Sequence, residues 1–329
     1  MNTRRKLLIA LGAGVLGAPF PAASQPSAKV WRIGYLGDGS AATRAAESLD
    51  PFREALAGLG YVEGRNVVTE IRWTETNAER RAALAEELVR LRPDVIVTHG
   101  VLAARAVKAA TTTIPIVVAV AADFLGSGLV PSLARPGGNL TGMTDQVVEL
   151  SGKEVQLFKE TLPGMRRLAL MWEDKSPTAV PAAEAMQAAA QVMGMRVLPF
   201  PVTNADTIEQ AIEAAARRRA DAMIAMHSPL TVGLRAKIAQ IALKKRLPLM
   251  SAPAQFPDAG ALMSYGPDLT KYFRNAAVLV DKILKGTRPA DIPVEQPTRF
   301  ELVINMKTAK ALGIKIPQSI LLRADRMIE

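Results

Sequence analysis

The sequence predicts an α/β fold of two doubly wound lobes, each built on a parallel sheet. From Trp31 onward, short apolar runs alternate with amphipathic stretches, which is the pattern of βαβ units. After a break around residues 126–142, the same order of elements restarts. In both halves an aspartate, Asp94 and then Asp221, precedes the third strand, and a proline lies at or beside the start of the fourth. Two similar lobes are the simplest account of this repetition.

The first half alternates strands with helices. Leu84, Leu88 and Leu91 fall on one helical face, and Gly60 ends the helix before them. The strand at 94–100 contains the apolar run 95–97, as expected of a buried parallel strand. The predicted strands are 32–38, 66–73, 94–100 and 114–123, and the predicted helices are 50–60, 79–91 and 102–112.

The second half follows the same order, with Gly194 ending its first helix. Its predicted strands are 166–176, 195–202, 220–228 and 247–254, and its predicted helices are 181–194, 206–219 and 232–246. Residues 260–329 are too few for a third domain. Their predicted strand at 262–266, helix at 268–286 and strand and helix within 298–313 must therefore be shared between the lobes.

The amino terminus predicts a signal peptide over residues 1–24. Gly12, Gly14 and Gly17 have the G-x-G-x-x-G spacing of a dinucleotide site, but neither a strand nor a suitably placed acid accompanies them. A basic start, an apolar run and Ala22-Ala23-Ser24 instead predict cleavage before Gln25. Export by the general or the twin-arginine route fits equally. The signal peptide predicts a periplasmic protein. Because the chain has no cysteine, we expect neither a lipid anchor nor disulfides.

Charge and hydropathy exclude two classes of partner. Removal of the three basic residues at 4–6 leaves 38 basic against 31 acidic side chains, a net charge of +7. The basic clusters at 217–219 and 244–246 end predicted helices, where they complement the helix dipole, so no nucleic-acid partner is expected. No apolar run after the signal peptide approaches the about 20 residues of a membrane span.

The candidate ligand site follows from the topology. In open parallel α/β sheets, ligands bind beyond the carboxyl ends of the strands. The loops at those ends contain aromatic, hydroxyl and carboxylate side chains, and their glycine lets a ligand approach the backbone. The candidate residues at these ends are Tyr35, Asp38, Thr98, Gly100, Asp123, Phe124, Trp172, Glu173, Asp174, Ser176, His227 and Phe256.

Several of these side chains have two interpretations. Asp123 either neutralises a ligand amine or accepts hydrogen bonds from its own glycine loop. Glu173 and Asp174 are either an acid/base pair or caps of the following helix. His227, like His99, either contacts the ligand or bonds its own loop. The helix that starts after Gly100 offers free backbone amides to a carboxylate.

The sequence predicts no catalysis and no cofactor or metal. Its two histidines fall in opposite halves, and it has no G-x-S-x-G elbow, H-E-x-x-H helix or phosphate loop. A two-lobed racemase or dehydrogenase is the alternative from the enzyme class. The effector-binding core of a repressor is a third reading, which would require a helix-turn-helix where the signal peptide is predicted.

Long motifs resemble the bacterial ABC-transporter substrate-binding proteins of the TrpX-like type, over essentially the whole mature chain. They are GSGLVPSLARPGGNLTGM at 126–143, LGYVEGRNV at 59–67, SYG at 264–266, ILKGTRPADIPVEQPTRFELVINMKTAKALG at 283–313 and the closing ADRMIE. The resemblance implies the type I periplasmic-binding-protein fold, with two Rossmann-like lobes joined by three crossovers and closing on a small ligand. Some members of the family bind aromatic amino acids.

The resemblance implies crossovers at Asn139–Thr141, in the run before 262–266, and at 292–298. Lobe 1 would then be 30–140 with 262–296, and lobe 2 would be 141–261 with 297–329. When the family's pocket positions are transferred to this chain, the resemblance implies that the pocket includes the region before Tyr265. Relatives usually have Asp-Pro where this chain has Asp123-Phe124, and commonly an aspartate at His227, which weighs against an ammonium held by two carboxylates.

The sequence therefore predicts an exported, monomeric solute-binding protein that performs no chemistry. It would bind a small amino-acid-like or aromatic carboxylate between its lobes and present it to ABC permease subunits in the inner membrane. Closure of the lobes about the hinge would bury the ligand.

Overall fold

Two separate sheets organise the chain, as the sequence predicts. The computed structural model describes residues 29–75, 79–145, 147–174, 179–297 and 299–329. The predicted signal peptide lies outside these residues. Residues 31–329 form one compact unit, which contains both sheets.

The first sheet is entirely parallel, with strand order β2-β1-β3-β4-β5. Its strands are β1 (Trp31–Gly37), β2 (Val67–Trp73), β3 (Val95–Thr98), β4 (Ile116–Ala121) and β5 (Leu140–Thr144). The helices in this part of the chain are α1 (Ala41–Arg44), α2 (Leu49–Gly58), α3 (Arg80–Arg90) and α4 (Val101–Ala110), and a short 3-10 turn spans Ala45–Glu47.

The second sheet has the order β12-β11-β10-β9-β8-β6-β7, with β10 and β11 antiparallel. Its strands are β6 (Arg167–Glu173), β7 (Arg196–Val202), β8 (Ala222–Ala225), β9 (Leu249–Ser251), β10 (Met263–Gly266), β11 (Glu301–Asn305) and β12 (Arg326–Ile328). The helices that follow in the chain are α5 (Val147–Thr161), α6 (Ala179–Val192), α7 (Ala205–Arg217), α8 (Pro229–Gly233), α9 (Arg235–Lys244), α10 (Gln255–Asp258), α11 (Leu269–Leu284), α12 (Met306–Leu312) and α13 (Gln318–Leu321), and a second 3-10 turn spans Pro289–Asp291.

Helices cover both faces of each sheet, which is why the central strands are apolar along their whole length. In the first lobe, α2 and α11 pack on one face of the sheet, and α3 and α4 pack on the other. In the second lobe, α7, α9 and α10 cover one face, and α5, α6, α12 and α13 cover the other. The doubly wound fold class is thus confirmed for both lobes.

The chain crosses between the lobes later than predicted at two points. The predicted boundary at 140 cuts β5, which belongs to the first sheet because it pairs in parallel with β4. The predicted boundary at 262 precedes β10, which belongs to the second sheet because it pairs with β9 and β11. The first crossing therefore follows Thr144, and the second follows Gly266. The third leaves the first lobe after Glu295, which bridges to Met143.

Gly142 allows β5 to lie against β4. It is paired with Val118, and a Cβ atom at position 142 would lie 2.1 Å from the Val118 backbone oxygen. On the other side of β5, the Glu295 N–H donates to the Gly142 carbonyl at 2.9 Å, and the Thr144 N–H donates to the Glu295 carbonyl at 2.9 Å. Two of the three crossing segments are therefore hydrogen bonded to each other beside this glycine.

Helix α5 is an element that the sequence analysis missed. It starts directly after the first crossing and packs against α6 on the second sheet. The predicted helix at 232–246 is divided in the structure into α8 and α9, and the capping box of Ser228 and Thr231 starts the first of them. Both differences concern segments that border the space between the lobes.

Candidate functional site

A cavity of ≈ 110 Å³ lies between the lobes, at the carboxyl ends of strands from both sheets. Segments after β1, β3 and β4 line it from the first lobe, and segments after β6 and β8 line it from the second. Its apolar wall includes Trp172, Met186, Met226 and Val232. Its polar lining residues are Asp38, Arg44, His99, Asp145, Glu154, Glu173, His227 and Ser228.

Asp38 follows β1 and is already paired inside the first lobe. Arg81 Nη2 donates to both carboxylate oxygens, at 3.1 and 3.0 Å, and the Thr74 hydroxyl donates to Oδ1 at 2.9 Å. A buried carboxylate with these donors has its charge compensated without a ligand. Asp38 therefore shapes the cavity edge and holds the loop after β1 in place.

His99 follows β3 and is neutral. Its Nε2 atom accepts a hydrogen bond from the Asp38 N–H at 3.2 Å, which requires an unprotonated nitrogen. Burial, together with the positive charge of Arg44, lowers the pKa of His99 to about 3. The ring meets Phe273 edge-on, with the ring centroids 5.5 Å apart. His99 thus both bonds a neighbouring loop and lines the cavity, so the two predicted interpretations do not exclude each other.

Gly100 turns the chain from β3 into α4. Its φ of 78° is a conformation that favours glycine, and its N–H donates to the Val120 carbonyl at 2.7 Å. Gly100, Val101 and Leu102 line the cavity, and no side chain caps this helix start. The first amides of α4 are therefore placed at the cavity, as the sequence analysis expected for a ligand carboxylate.

The second lobe supplies Trp172, Glu173 and His227. Burial raises the pKa of Glu173, and hydrogen bonds from the Ser228 hydroxyl and the Leu230 N–H lower it in part. His227 Nε2 lies 3.0 Å from Asp145 Oδ2, which joins a loop of the second lobe to the first crossing segment. Glu173 has no acid/base partner in Asp174, whose side chain is exposed.

Three charged cavity residues were missed from the sequence: Arg44, Asp145 and Glu154. Arg44 comes from the short helix α1 and Asp145 from the first crossing, and neither position is a predicted strand end. Glu154 lies on α5. The spacing of Leu150, Glu154 and Leu157 on one helical face is the signal that places it toward the protein interior.

Other predicted site residues lie outside the cavity because their side chains belong to the core. Tyr35 is fully buried between Phe52 and Trp73, and the Thr98 hydroxyl donates to the Leu36 carbonyl at 3.0 Å. Successive strand residues point to opposite faces, so a strand end alone does not decide which side chain reaches a ligand. The remaining ones are Phe124 and Phe256, which are buried in the cores of the two lobes, and Tyr265, which packs against Phe300.

The structure corrects the ligand interpretation of Asp123. Its Oδ1 atom accepts a hydrogen bond from the Gly126 N–H at 2.8 Å, and its backbone has a φ of 40°. Although its neighbours Ala121 and Ala122 line the cavity, Asp123 does not. The carboxylate stabilises its own glycine loop. Ser176, the last predicted site residue, lies outside the described residues.

The described residues lack two kinds of feature. They contain no group of three or more His, Cys, Asp or Glu side chains that could hold a metal ion. They also contain no helix that is long and apolar enough to cross a membrane.

A family model described as ABC transporter substrate binding protein matches residues 44–328. The chain belongs to this family. It is therefore a substrate-binding protein of an ABC transporter. Its sequence is 25% identical over 264 residues to a tyrosine-binding protein of Clostridioides difficile (strain R20291). That match covers 80% of this chain and 76% of the relative.

Solved structures have the same fold as this substrate-binding protein. A conserved domain protein of Vibrio cholerae is 26% identical, with a TM-score of 0.83, over 91% of this chain and 100% of that one. A domain from Streptococcus pneumonia in complex with L-Trp is 24% identical, with a TM-score of 0.84 and the same coverage. The expected family and the type I periplasmic-binding-protein fold are confirmed.

An ion pair joins the two lobes of the substrate-binding protein beside the cavity. Arg235 at the start of α9 pairs with Glu47 in the 3-10 turn after α1, and both side chains are half-buried. Glu47 also lies 3.8 Å from Arg44 Nη1. Glu47 therefore connects a cavity residue to a contact that exists when the lobes are together.

Proposed function

We propose that the cleft binds a free amino acid, in particular one with an aromatic side chain, and that the protein presents it to the permease subunits of an ABC importer. The composition of the cavity wall is the observation that supports this most. Charged side chains of both signs lie beside an apolar surface of Trp172, Met186 and Met226. An amino acid has the same combination of two opposite charges and an apolar side chain.

The relatives support this ligand class. The C. difficile relative is named a tyrosine-binding protein, and the S. pneumonia structure holds L-Trp. Trp172 offers an indole ring on which an aromatic ligand side chain can stack. We propose Gly100, Trp172, Glu173 and His227 as ligand contacts, since each of them lines the cavity.

Titration of the purified protein with each of the twenty common L-amino acids tests the proposal. The protein is first unfolded and refolded to remove any ligand that it carries. We expect heat of binding with L-tyrosine, L-tryptophan or L-phenylalanine at micromolar or lower concentration, and much weaker binding of small polar amino acids. Absence of binding by every aromatic amino acid would contradict the proposed ligand class.

We further propose that the protein works by lobe closure and performs no chemical step. The pair between Glu47 and Arg235 would then favour the closed state. Arg235→Gln should weaken binding of the aromatic amino acid by about two- to five-fold, the range of a modest ion pair. Small-angle scattering should show a smaller decrease in radius of gyration on ligand addition than the wild type shows.

Lys237→Gln is the matched control for this variant. Lys237 lies on the same helix but pairs with Glu209 within the second lobe, with Nζ and Oε2 3.0 Å apart. It should leave both affinity and scattering unchanged. Equal behaviour of the two variants would rule out a role of the Arg235 pair in closure.

We propose that the protein is exported to the periplasm as a monomer, with cleavage of the signal peptide before Gln25. The basic start, the apolar run and the small residues before Gln25 support this, as does the family. Amino-terminal sequencing of the protein from the periplasmic fraction tests the cleavage site. A chain that keeps Met1 in that fraction would contradict it.

A further inference from the structure

We propose that the cavity recognises both charged groups of a zwitterion: Arg44 binds the ligand's carboxylate, Glu154 binds its ammonium group, and Glu154 releases a proton as the ligand enters. This inference rests on the proposed function, because it assigns the ends of an amino acid to residues of the same cavity. It goes further in predicting that neither the amine nor the acid alone replaces the amino acid.

Arg44 is a buried cation with unused donors. The residue is 4% exposed, and among the described residues its Nε and Nη1 atoms have no hydrogen-bond partner. Glu47 Oε2 lies 3.8 Å from Nη1, which is too far for a hydrogen bond. A guanidinium has five N–H donors in a planar fork that matches a carboxylate. A ligand carboxylate is therefore the partner that fits Arg44.

The start of α4 lines the same cavity as Arg44. Arg44 is close enough to His99 to lower its pKa, and His99 directly precedes Gly100 and α4. The helix start has no side-chain cap, and Gly100, Val101 and Leu102 line the cavity together with Arg44. Backbone amides and a guanidinium thus offer hydrogen bonds to one anion.

Glu154 is a buried acid with an unused oxygen. The residue is 2% exposed, and its Oε1 atom has no hydrogen-bond partner among the described residues. Burial, and then the negative charge of Asp145, raise the pKa of Glu154 well above its usual value. Without a ligand, burial therefore favours the neutral form of the carboxyl group. An ammonium group would supply both the missing hydrogen bond and the compensating charge.

Arg44 and Glu154 reach the cavity from opposite lobes. Arg44 belongs to the first lobe and Glu154 to the second. A ligand that bridges them would hold the lobes together through its own two charges.

Proton release gives the proposal a signature that a structural role of Glu154 would not produce. When the ammonium group arrives, the ionised form of Glu154 is favoured, and its proton passes to the solvent. The measured heat of binding should then depend on the ionisation enthalpy of the buffer. Titrations of the wild type with L-tyrosine or L-tryptophan in phosphate and in Tris at pH 7 should show this release.

Ligand analogues and two variants test the carboxylate contact and the ammonium contact separately. Tyramine and tryptamine lack the carboxylate, and 3-(4-hydroxyphenyl)propionate and indole-3-propionate lack the amine. Arg44→Gln should weaken amino-acid binding about 10- to 100-fold while leaving the weak binding of the amines unchanged. Glu154→Gln should weaken amino-acid binding by a similar factor, abolish proton release and leave the weak binding of the propionates unchanged.

Matched controls replace the same residue types outside the cavity. Arg105→Gln changes an arginine on α4 that donates to the Ser127 carbonyl, and Glu160→Gln changes a glutamate on α5 that pairs with Arg323. Both should retain wild-type affinity and proton release. If Arg44→Gln does not fold, the wild type alone still tests the proposal, since binding of a propionate should release no proton.

The possible failures are distinguishable. If the wild type binds an aromatic amino acid without proton release, or if both cavity variants behave like their controls, the zwitterion inference is wrong and the proposed function stands. If the wild type binds no amino acid, the proposed function is wrong and the inference falls with it.

Discussion

The stability of the wild type relative to a His99→Gln variant should rise with pH between about 3 and 6.5 and remain constant above that range. The buried imidazole has its pKa lowered to about 3, so in this range the unfolded chain binds a proton that the folded protein does not bind. Stability therefore falls as the pH falls, by on the order of 1.4 kcal/mol for each pH unit. Asp38, Arg44 and Arg81 are the charged groups that act on His99.

Urea unfolding of both proteins at intervals between pH 4 and 8 measures this effect. The difference between them is the informative quantity, because Glu154 contributes the opposite slope. The pKa of the Glu154 carboxyl is raised in the folded protein, so the protein loses stability as the pH rises above the usual pKa of a glutamate. This effect is the same in the wild type and in the variant. Loss of the hydrogen bond from the Asp38 N–H adds a difference that does not depend on pH. A constant difference across the range would show that His99 titrates normally in the folded protein.

Gly142→Ala should lower the free energy of unfolding by about 3 kcal/mol. The added Cβ atom would lie 2.1 Å from the Val118 carbonyl oxygen, and that oxygen belongs to the backbone of a central strand, which cannot move without disturbing the sheet. The pairing of β5 with the third crossing segment would be disturbed as well. The midpoint of urea unfolding measures the loss.

Gly152→Ala is the control for this substitution. Gly152 lies inside α5, and a Cβ atom there would meet only the Ala189 Cβ atom, at 4.0 Å. Because alanine favours a helix interior more than glycine does, this variant should be more stable than the wild type by roughly 0.5–1 kcal/mol. Similar destabilisation by both substitutions would mean that the contact with Val118 is relieved by a small shift.

Much of the fold could be predicted because strands and helices here have clear apolar patterns. Helix α5 is the longest described element that was not predicted, and its buried residues explain why. Ser151 and Glu154 are both buried on this helix, so polar side chains interrupt the apolar periodicity that identifies helices elsewhere. Glu154, which we assign to the ligand ammonium, is thus one reason why α5 could not be recognised from its apolar pattern.

The candidate site was predictable where it depends on strand ends. Gly100 follows β3, Trp172 lies at the end of β6, and His227 follows β8. All three line the cavity. Arg44 was not predictable in this way, because its long side chain reaches the cavity from a short helix in the loop after β1. Sequence position gives the end of the sheet, whereas side-chain length and direction decide contact with a ligand.

The packing of α11 limits the order in which the chain can fold. With α2, this helix covers one face of β1, β3 and β4, yet the ribosome makes it only after most of the second lobe. Until residues 269–284 are synthesised, α2 covers only part of this apolar sheet face in the amino-terminal half. A fragment ending before Leu269 should therefore aggregate, and the two lobes cannot be produced as consecutive halves of the chain.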